Sequence, residues 1–537
     1  MQEIDVDIAV VGSGFAGSLT ALALGRRGMR VALVERGRHP RFAIGESSTP
    51  LANLLLEQIA DRYDLPRIRV FSKWGTWQRA RPDVAVGLKR GFTFLFQHPG
   101  ERFPDDRDHE RQLMVSASPH DEIGDTHWYR PDVDLALVRE AEAEGAIYLD
   151  ETRLDRVSEG ATRVTLEGAR HGRALCISAA FVIDASGPHG FLHQALGLHA
   201  GPLQWLPPTQ GLYTHFEGVE RWDRLVALDE PPPFPVDDAA VHHVFDGGWM
   251  WILRFNNGIT SAGVALTDRL ATAFRVDEGA AAWDRILESL PSVRDQFRHA
   301  RAARPFVHAP RLAFRSRDVV GRRWALLPSA TGVIDPLLST GFPLTLLGIT
   351  RLVDLLEHTA NGPEREAALG AYARITQSEL DATEQLVAAL YASMPDPPLF
   401  KRLALLYFAA ASYAETAWRL GRRELAPGFL LHAHPQFGPE LHACSELARA
   451  LPSGGAKRVL LDRIDRAIEP FDVAGLLDRS RRDWYPVLAG DLLASAAKLN
   501  ATPEEVERVL ARCGFVTTPP ALERNDPTPQ VGLSPPF

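Results

Sequence analysis

Three glycines near the start of the chain have the spacing of a phosphate-binding turn. Gly12, Gly14 and Gly17 follow the apolar segment 8–11, and Ala16 precedes the last of them. Such glycines allow a tight turn, close backbone approach to a pyrophosphate at a helix N-terminus, and close packing of that helix on a strand. Glu35 ends the next apolar segment, 30–34, where an acid can bind ribose hydroxyls. Together these residues predict a dinucleotide site.

The elements that must position these residues are a strand, a helix and a second strand. Segments 8–11 and 30–34 are apolar and strand-like, and the stretch between them is rich in alanine and leucine. This order is that of a βαβ unit, in which the glycine turn lies at the carboxyl end of the first strand. Because the acid also occurs at the expected separation, the βαβ unit is preferred to an ordinary glycine turn.

Length, charge and cysteine content exclude several classes of protein. The 537 residues exceed what one core usually organises, so two or three lobes are expected. The net charge of -9 provides no basic stripe for a nucleic acid. Cys176, Cys444 and Cys513 fit neither a disulfide framework nor a zinc cluster, and no metal site is expected. An acidic N-terminus and no apolar run of about 18 residues predict a cytoplasmic protein without a leader or a membrane span.

Composition shifts divide the chain into five parts. Proline and glycine clusters break residues 201–305 into short apolar segments, which predicts a mainly antiparallel sheet inserted between nucleotide-binding segments. Apolar residues recur at helical spacing over 361–516, which predicts a helical lobe. The predicted parts are nucleotide-binding segments with a pocket-forming insertion (1–200), a substrate-domain sheet (201–305), a third nucleotide-binding segment (306–360), the helical lobe (361–516) and a proline-rich, extended tail (517–537).

Two later segments also form glycine turns and complete a family pattern. Asp184 and Gly187 end one apolar segment, and Ser329, Gly332 and Asp335 lie in another, 327–336. With the N-terminal glycines, they resemble the FAD-binding fold of flavin monooxygenases, geranylgeranyl reductases and flavin-dependent halogenases. The resemblance implies that these five residues contact FAD, rather than NAD, although Ser329 stands where the family has an aspartate that binds FAD hydroxyls.

The same resemblance implies the fold class. It is α/β, with a Rossmann-like FAD-binding domain of the flavin monooxygenase type, an inserted antiparallel substrate sheet and a C-terminal helical lobe.

Two further loops resemble flavin-dependent halogenases in particular. Glu46 and Ser47 belong to a Gly-Glu-Ser segment within 44–50, like one that those enzymes carry near the flavin. Arg130 lies where the family has a Gln-Val-x-Arg segment before a helix, with His127 in place of the glutamine. The resemblance implies that Glu46, Ser47 and Arg130 contact FAD. The alternatives are an ordinary loop and an ordinary helix start.

The segment 335–341 resembles the one whose backbone amides hold the halide in halogenases. Thr340 and Gly341 lead into a predicted helix, where converging N–H groups and the helix dipole suit an anion. The alternative is that these amides serve only the flavin ring. Leu338 stands where tryptophan halogenases often have a glutamate, which favours the phenol and pyrrole branches of the family.

Trp249 and Trp251 resemble part of the Trp-x-Trp-x-Ile-Pro signature that lies beside the flavin. Being two apart on a predicted strand, they share one face and can wall a passage; plain core packing is the alternative. The neighbouring His242 and His243 face opposite sides of a strand, so they are not expected to share a metal.

Halogenases use a lysine deep in the substrate pocket to direct hypohalous acid at an aromatic carbon. A lysine suits this role because burial lowers its pKa and its nitrogen can bind the oxidised halogen. Lys89, in the strand-like run 87–94, resembles the Lys-x-Gly-x-x-Phe environment of phenolic halogenases and is the predicted catalytic residue. Lys73 lies closer to the spacing expected after Glu46 and is the competing candidate, and a solvated surface lysine is the ordinary alternative.

The resemblance as a whole implies a two-component halogenase of secondary metabolism. Reduced FAD would come from a separate NAD(P)H-dependent flavin reductase, because the chain has no second nucleotide-binding turn in adequate context. With O2 and chloride or bromide, it would halogenate a phenol, resorcinol or pyrrole, free or on an acyl carrier protein. The alternatives are a halide-independent flavin monooxygenase or polyprenyl reductase, and a non-catalytic flavin-binding protein.

Overall fold

The computed structural model describes residues 2–201, 203–226, 228, 230–360 and 362–515. The predicted tail, 517–537, lies outside the described residues. The strands are β1 Gln2–Val11, β2 Val31–Val34, β3 Val86–Lys89, β4 Gly91–Phe96, β5 Gln112–Ser116, β6 Asp125–Trp128, β7 Ile147–Leu149, β8 Thr152–Glu159, β9 Val164–Arg170, β10 Arg173–Asp184, β11 Thr209–Glu217, β12 Ala240–Phe245, β13 Gly248–Arg254, β14 Ile259–Thr267, β15 Arg301–Ala302, β16 Val307–Ala309, β17 Phe314–Arg315, β18 Trp324–Leu326, β19 Gly332–Val333 and β20 Trp484–Tyr485.

Helices alternate with these strands and then dominate the C-terminal part. They are α1 Phe15–Gly25, α2 Pro50–Arg62, α3 Pro66–Arg69, α4 Trp74–Ala80, α5 Arg130–Ala143, α6 Phe191–Ala195, α7 Trp222–Leu225, α8 Asp268–Phe274, α9 Ala280–Ser289, α10 Pro291–Gln296, α11 Pro328–Thr331, α12 Gly341–His358, α13 Pro363–Ser393, α14 Pro397–Arg419, α15 Phe437–Arg449, α16 Gly454–Ile468, α17 Ala489–Ala494 and α18 Pro503–Cys513. Short 3-10 turns cover Val70–Ser72, Asp121–Ile123, Val276–Glu278, Arg423–Leu425, Phe429–Leu431, Glu469–Phe471, Arg479–Arg481 and Ala496–Leu499.

The first sheet brings the three predicted nucleotide-binding segments to one edge. Its strand order is β7-β2-β1-β10-β9-β8, with β18 also paired to β10. β1, β2, β10 and β18 run parallel, and Val11 lies beside both Val34 and Asp184, which in turn lies beside Leu326. Parallel strands present their carboxyl ends at the same edge, so the turns that follow these four strands meet there.

The second sheet extends beyond the segment 201–305 that the sequence assigned to it. Its order is β15-β11-β14-β13-β12-β4-β5-β20, with β16 paired to β11. The centre, β11 to β14, is antiparallel as predicted. β4 joins β12 in parallel, and β20 from the C-terminal region joins β5 in parallel. β4 therefore has a partner strand on each side, and all of its residues are buried.

Helices that follow residue 340 pack against the helices α1 and α2 from the first part of the chain. α1 is buried over residues 15–24, and the ring of Phe15 stacks on Phe342 of α12 with centroids 4.6 Å apart. Prolines begin α13, α14 and α18, where the missing N–H is not needed. α14 also contacts α2, so the lobe reaches the segment that follows the 44–50 loop.

Two properties bear on the compartment and redox expectations. Within the described ranges, no helix combines the length and the hydropathy that crossing a membrane requires. Cys176, Cys444 and Cys513 are all free thiols.

Candidate active site

The glycine turn after β1 is packed too closely for any side chain at two of its positions. Gly12 has a left-handed φ of +98°, and a Cβ there would lie 2.7 Å from the backbone of Ala185. A Cβ at Gly17 would lie 1.8 Å from the carbonyl oxygen of Gly12. Only glycine therefore lets α1 approach β1 so closely. Ala16 is buried in the first turn of α1, whose N-terminal N–H groups are available to a pyrophosphate.

Two arginines meet in front of this helix N-terminus. The Nη2 atoms of Arg130 and Arg41 lie 3.2 and 3.6 Å from the Cβ position of Gly14. Arg130 is fixed by two bonds to Asp134, of 2.9 and 2.8 Å, and by a 3.0 Å bond to the carbonyl of Gly45. Guanidinium groups at this point suit a phosphate pair. Sequence reasoning missed Arg41, because one arginine in a short connection is too common to stand out.

Glu35 lies at the end of β2 and is held ionised by its neighbours. Its Oε2 accepts bonds from the backbone N–H and hydroxyl of Ser13 and pairs with Arg41, while Oε1 accepts a 2.8 Å bond from the N–H of Gly37. Burial by itself raises the pKa of Glu35, but Arg41 and these bonds outweigh it and hold that pKa below its usual value. Oε1 keeps acceptor capacity for a ribose hydroxyl.

The Asp184 carboxylate is used within its own turn. One oxygen accepts a 2.8 Å bond from the N–H of Ser186, and the other accepts a 2.7 Å bond from the N–H of Leu192. Gly187 has a left-handed φ of +86°. These contacts shape the turn that packs on Gly12, and direct contact of Asp184 or Gly187 with FAD stays a prediction.

The third segment carries an orphaned hydroxyl where the family has an aspartate. Ser329 lies in α11, and its Oγ is buried with no hydrogen-bond partner among the described residues. A buried hydroxyl without a partner is uncommon, so this atom is available to a cofactor hydroxyl or phosphate. A Cβ at Gly332 would lie 2.8 Å from the side chain of Leu380, so glycine here lets α13 pack closely.

Asp335 is the first member of a buried chain of hydrogen bonds. Its Oδ2 accepts a 2.8 Å bond from the Tyr391 hydroxyl, and its Oδ1 accepts a 2.9 Å bond from the N–H of Leu337. The Nε1 of Trp249 donates to the Tyr391 oxygen at 3.1 Å. Burial raises the pKa of Asp335 to about 7. This chain joins the third segment, α13 and the second sheet, and a contact of Asp335 with FAD stays a prediction.

The predicted halide position lies at the start of α12. Thr340 is the N-cap and Gly341 the first residue of this helix, and Ser339 before them has a left-handed φ of +54°. The first N–H groups of a helix have no acceptor within it, so they can serve an anion. A Cβ at Gly341 would meet no atom within 4 Å, which leaves space in front of these groups. Binding of halide here stays a prediction.

The 44–50 loop contacts the predicted catalytic lysine directly. Lys89 donates a 2.9 Å bond from Nζ to the hydroxyl of Ser47 and a 2.6 Å bond to the carbonyl of Ser48. In the same loop, Oε1 of the buried Glu46 lies 2.7 Å from Nε2 of the buried His215. The loop that the family places near the flavin is thus fixed to the second sheet on one side and to Lys89 on the other.

Lys89 is a fully buried side chain, not a solvated surface lysine. It faces Asp125 across the antiparallel pair β3 and β6, and its Nζ lies 3.8 Å from the ring centroid of Phe92. Burial lowers the pKa of Lys89, and the nearby Asp125 opposes that change. Burial likewise raises the pKa of Asp125, and Lys89 opposes it. The lysine is therefore easier to deprotonate than an exposed one.

A cavity of about 150 Å³ lies beside this pair, between the strands β4 and β5 and the helices α14 and α18. Its walls include Asn53, Lys73, Phe92, Asp125, Tyr407 and Leu510. Lys73 is engaged there: its Nζ donates a 3.1 Å bond to the carbonyl of Cys513 and lies 3.8 Å from Oε1 of Glu57. Both candidate lysines thus approach one cavity, Lys73 in its wall and Lys89 behind Phe92.

The two predicted tryptophans share a face of β13 but do not line that cavity. Trp249 and Trp251 are buried, with ring centroids 5.7 Å apart. The ring centroids of His242 and Trp249 lie 5.2 Å apart. His243 points to the other side of the sheet, where its Nε2 lies 3.0 Å from Oε1 of Gln296. Burial lowers the pKa of both histidines to about 3, so they are neutral.

One group of possible metal-binding side chains occurs among the described residues. Ligand atoms of Asp354, Glu357 and His358 lie within 4.8 Å of one another. Arg62 pairs with both carboxylates, which accounts for their closeness without an ion.

Comparison with known proteins identifies the family. The model of the FAD dependent oxidoreductases matches residues 7–324. Monodechloroaminopyrrolnitrin halogenase PrnC from Pseudomonas fluorescens is 30% identical over 403 residues, which are 73% of this chain and 68% of that protein. Tetracycline 7-halogenase from Kitasatospora aureofaciens is 31% identical over 424 residues, 75% of this chain and 73% of that protein. The chain belongs to the flavin-dependent halogenases.

A solved structure matches the fold, and a third relative is a chlorinase. The crystal structure of halogenase PltM in complex with phloroglucinol and FAD matches the fold with a TM-score of 0.79, over 89% of this chain and 99% of that chain, at 23% identity. A 1H-pyrrole-2-carbonyl-[peptidyl-carrier protein] chlorinase from Pseudomonas fluorescens is 24% identical over 353 residues, 64% of this chain and 74% of that protein. The predicted family, α/β fold and enzyme class are confirmed, as are FAD as cofactor and halide as co-substrate.

The residues of this halogenase fit FAD. The N-terminus of α1 with Arg41 and Arg130 suits the pyrophosphate, and Glu35 retains an acceptor for a ribose hydroxyl. The orphaned hydroxyl of Ser329 replaces the family carboxylate with a neutral partner. The open space at Gly341 leaves room for a group at the start of α12. The role of each residue stays a prediction.

Proposed function

We propose that this halogenase uses reduced FAD, O2 and chloride or bromide to halogenate an electron-rich aromatic ring, and that Lys89 directs the oxidised halogen. One observation carries the assignment of Lys89: its Nζ is bound by Ser47 and Ser48 of the predicted flavin loop and lies against Phe92, a wall of the cavity. When bound, reduced FAD would supply two of the four electrons that O2 takes up, and the halide would supply the other two as it is oxidised to the level of hypohalous acid. A halogen species that moves from loop to cavity meets Lys89.

The environment of Lys89 suits the binding of hypohalous acid. Two bonds of Nζ go to Ser47 and Ser48, which leaves one position of the nitrogen for the acid. Because burial lowers the pKa of Lys89, the amine form is more accessible than in a solvated lysine. Phe92 and the buried strands around Lys89 keep water away from this nitrogen.

We further propose that a separate NAD(P)H-dependent flavin reductase supplies the reduced cofactor in the cytoplasm. The relatives are halogenases of monodechloroaminopyrrolnitrin, of tetracycline and of a 1H-pyrrole-2-carbonyl group on a peptidyl carrier protein. A phenol, resorcinol or pyrrole, free or carrier-bound, is therefore the proposed substrate class here.

Mass spectrometry of reaction products tests the function. Purified protein, FAD, a general flavin reductase, NADH, O2 and bromide or chloride are incubated with a panel of phenols, resorcinols and pyrroles. Halogen isotope pairs that vanish when halide is omitted support the proposal. Oxygen insertion that does not need halide would make the protein a monooxygenase, and flavin binding without any oxygen-dependent product across the panel would favour a binding protein.

A pair of lysine variants tests the assignment of Lys89. Lys89→Met is expected to lose halogenation while keeping FAD binding and flavin oxidation by O2. The deleted nitrogen bonds only Ser47 and Ser48 of the 44–50 loop, and the predicted pyrophosphate and ribose contacts at α1 and Glu35 are left in place. Lys73→Met removes the bond to Cys513 but leaves Lys89 in place. If Lys73→Met loses halogenation and Lys89→Met keeps it, Lys73 is the directing residue instead.

A further inference from the structure

The cavity wall contains a carboxylate oxygen that the proposed role of Lys89 does not use. Asp125 is 4% exposed and lines the cavity. Its Oδ1 accepts a 2.6 Å bond from Nδ2 of Asn53, whereas its Oδ2 is buried with no hydrogen-bond partner among the described residues. A buried carboxylate oxygen without a donor is costly, so a donor from a bound molecule would satisfy it.

The other charged groups in the cavity wall already have protein partners. Arg419 pairs with Glu57 and with Glu415 at 3.1 and 2.7 Å, and Lys73 binds the carbonyl of Cys513. Asp125 therefore differs from them: it is the ionisable side chain of this wall whose second carboxyl oxygen has no partner among the described residues.

We propose that Asp125 binds the substrate, its Oδ2 accepting a hydrogen bond from a hydroxyl or N–H group on the aromatic ring in this cavity. The inference rests on the proposed function in one respect, that the cavity holds the aromatic substrate. It adds a requirement: the ring must carry a hydrogen-bond donor.

A short network of hydrogen bonds fixes the positions of Asp125 and Lys89 relative to each other. Ser48 donates from its hydroxyl to Oδ1 of Asn53 and accepts at its carbonyl from Lys89, and Asn53 donates to Asp125. Directly opposed residues of antiparallel strands have Cβ atoms about 5 Å apart, and Lys89 and Asp125 are such a pair. A ring anchored at Asp125 thus lies next to the residue proposed to direct the halogen.

The size and lining of the cavity favour a single aromatic ring. An apolar cavity of about 150 Å³ is large enough for benzene, and this cavity has about that volume. Phe92, Tyr407, Phe408 and Leu510 supply apolar wall, and Asp125 supplies the acceptor. A phenol, a resorcinol or a pyrrole fits both the volume and the acceptor.

A hydrogen bond to a carboxylate also has a chemical consequence. The attraction of Lys89 favours the ionised form of Asp125 against the effect of burial. As the ionised carboxylate draws the hydroxyl proton towards itself, electron density on the phenol oxygen rises and spreads into the ring. An electron-rich ring reacts faster with an electrophilic halogen, so the same contact binds the substrate and activates it.

Ligand binding without turnover tests the inference. The FAD-loaded protein, with no halide and no reductant, is titrated by NMR with resorcinol and with 1,3-difluorobenzene, which has nearly the same shape but no donor. A hydrogen bond to a charged group is expected to give resorcinol about a tenfold to hundredfold preference. Asp125→Asn should abolish most of that preference, because the amide N–H replaces the acceptor, while difluorobenzene binding changes by less than about twofold.

Asp121→Asn is the matched control. Asp121 is near Asp125 in the chain but pairs with Arg90 and does not line the cavity, so the resorcinol preference should persist. FAD absorbance and far-UV circular dichroism check that each variant is folded.

Three results would overturn the inference: equal binding of the two ligands by the unmodified protein, an equal loss for both in Asp125→Asn, or an unchanged preference in that variant. The comparison in the unmodified protein decides the matter if Asp125→Asn does not fold. A resorcinol preference that depends on Asp125, with no halogenated product from any substrate, would support this inference and reject the proposed function.

Discussion

The glycine turn at residues 12–17 and the cavity at Asp125 are held by different kinds of contact. In the turn, backbone approaches backbone: a Cβ at Gly17 would lie 1.8 Å from a carbonyl oxygen only five residues away. In the cavity, side chains from remote elements meet, and Lys73 binds the carbonyl of Cys513, 440 residues later. A site built from backbone tolerates few residue types, whereas a site built from side chains can change its specificity without changing the fold.

Two sets of bonds tie other predicted FAD-binding segments to the rest of the molecule. Asp335, Tyr391 and Trp249 connect the third FAD-binding segment to the helical lobe and the second sheet. Ser47 and Ser48 connect the predicted flavin loop to Lys89. A substitution in the first set should therefore weaken the packing between the third segment, α13 and the second sheet.

The largest effect is expected from Gly17→Ala in the backbone-built turn. The new Cβ collides with the Gly12 carbonyl, so α1 must move away from β1, and FAD binding should be lost with several kcal/mol of stability. FAD absorbance after gel filtration and thermal unfolding measure this. Gly490→Ala is the matched helical control: a Cβ there meets no atom within 4 Å, and alanine should be neutral or stabilising by up to about 1 kcal/mol. Normal FAD binding by Gly17→Ala would refute the backbone account.

Asp335→Asn should remove a pH dependence of stability. The pKa of Asp335 is raised from 3.8 to about 7, so the folded state binds more protons than the unfolded state between those values. Stability from this group is complete below pH 3.8 and is lost as the pH rises through 7. The apo protein should therefore lose about 3 kcal/mol relative to Asp335→Asn between pH 5 and pH 8. Urea unfolding at both pH values measures the difference, and parallel curves would show that Asp335 titrates normally.

Tyr391→Phe tests the first of these two sets of bonds. It leaves Oδ2 of Asp335 and Nε1 of Trp249 without the Tyr391 hydroxyl, which should cost about 2 kcal/mol. Tyr63→Phe is the control, because its buried hydroxyl has no partner among the described residues. Chemical denaturation of both variants measures the contrast, and equal effects would mean that the hydrogen-bond chain contributes nothing.

The smallest effect is expected from Thr502→Ala, at the start of the helix α18 whose later residues line the cavity. Thr502 and Glu505 form a capping box that begins α18, the helix that carries Cys513. Loss of the cap should cost about 1 kcal/mol and speed amide exchange in α18, with the FAD-binding turns unchanged. Ser453→Ala, at an N-cap whose side chain makes no capping bond, is the control. Faster exchange at the glycine turn as well would show that the two regions are coupled through α18.

Much of the fold could be predicted because its signals are local. The βαβ unit shows in the order of Gly12, Gly17 and Glu35, and the antiparallel centre of the second sheet shows in its short apolar segments. The parallel pairing of β4 with β12 could not be predicted, since it joins segments almost 150 residues apart. Arg41 was likewise missed, because its position beside Gly14 appears only once the chain is folded.

The sequence by itself determined the dinucleotide turn, the flavoprotein family and Lys89 as a candidate, because each depends on residue types at short, fixed spacing. Only the tertiary structure decided that Lys89 is buried behind Phe92, that Lys73 lies in the cavity wall, and that Asp125 keeps an unpaired oxygen there. The physical reason is that burial and hydrogen-bond satisfaction depend on every element packed around a side chain. At Asp125 those elements include α2 and α14, which lie far from it in the chain.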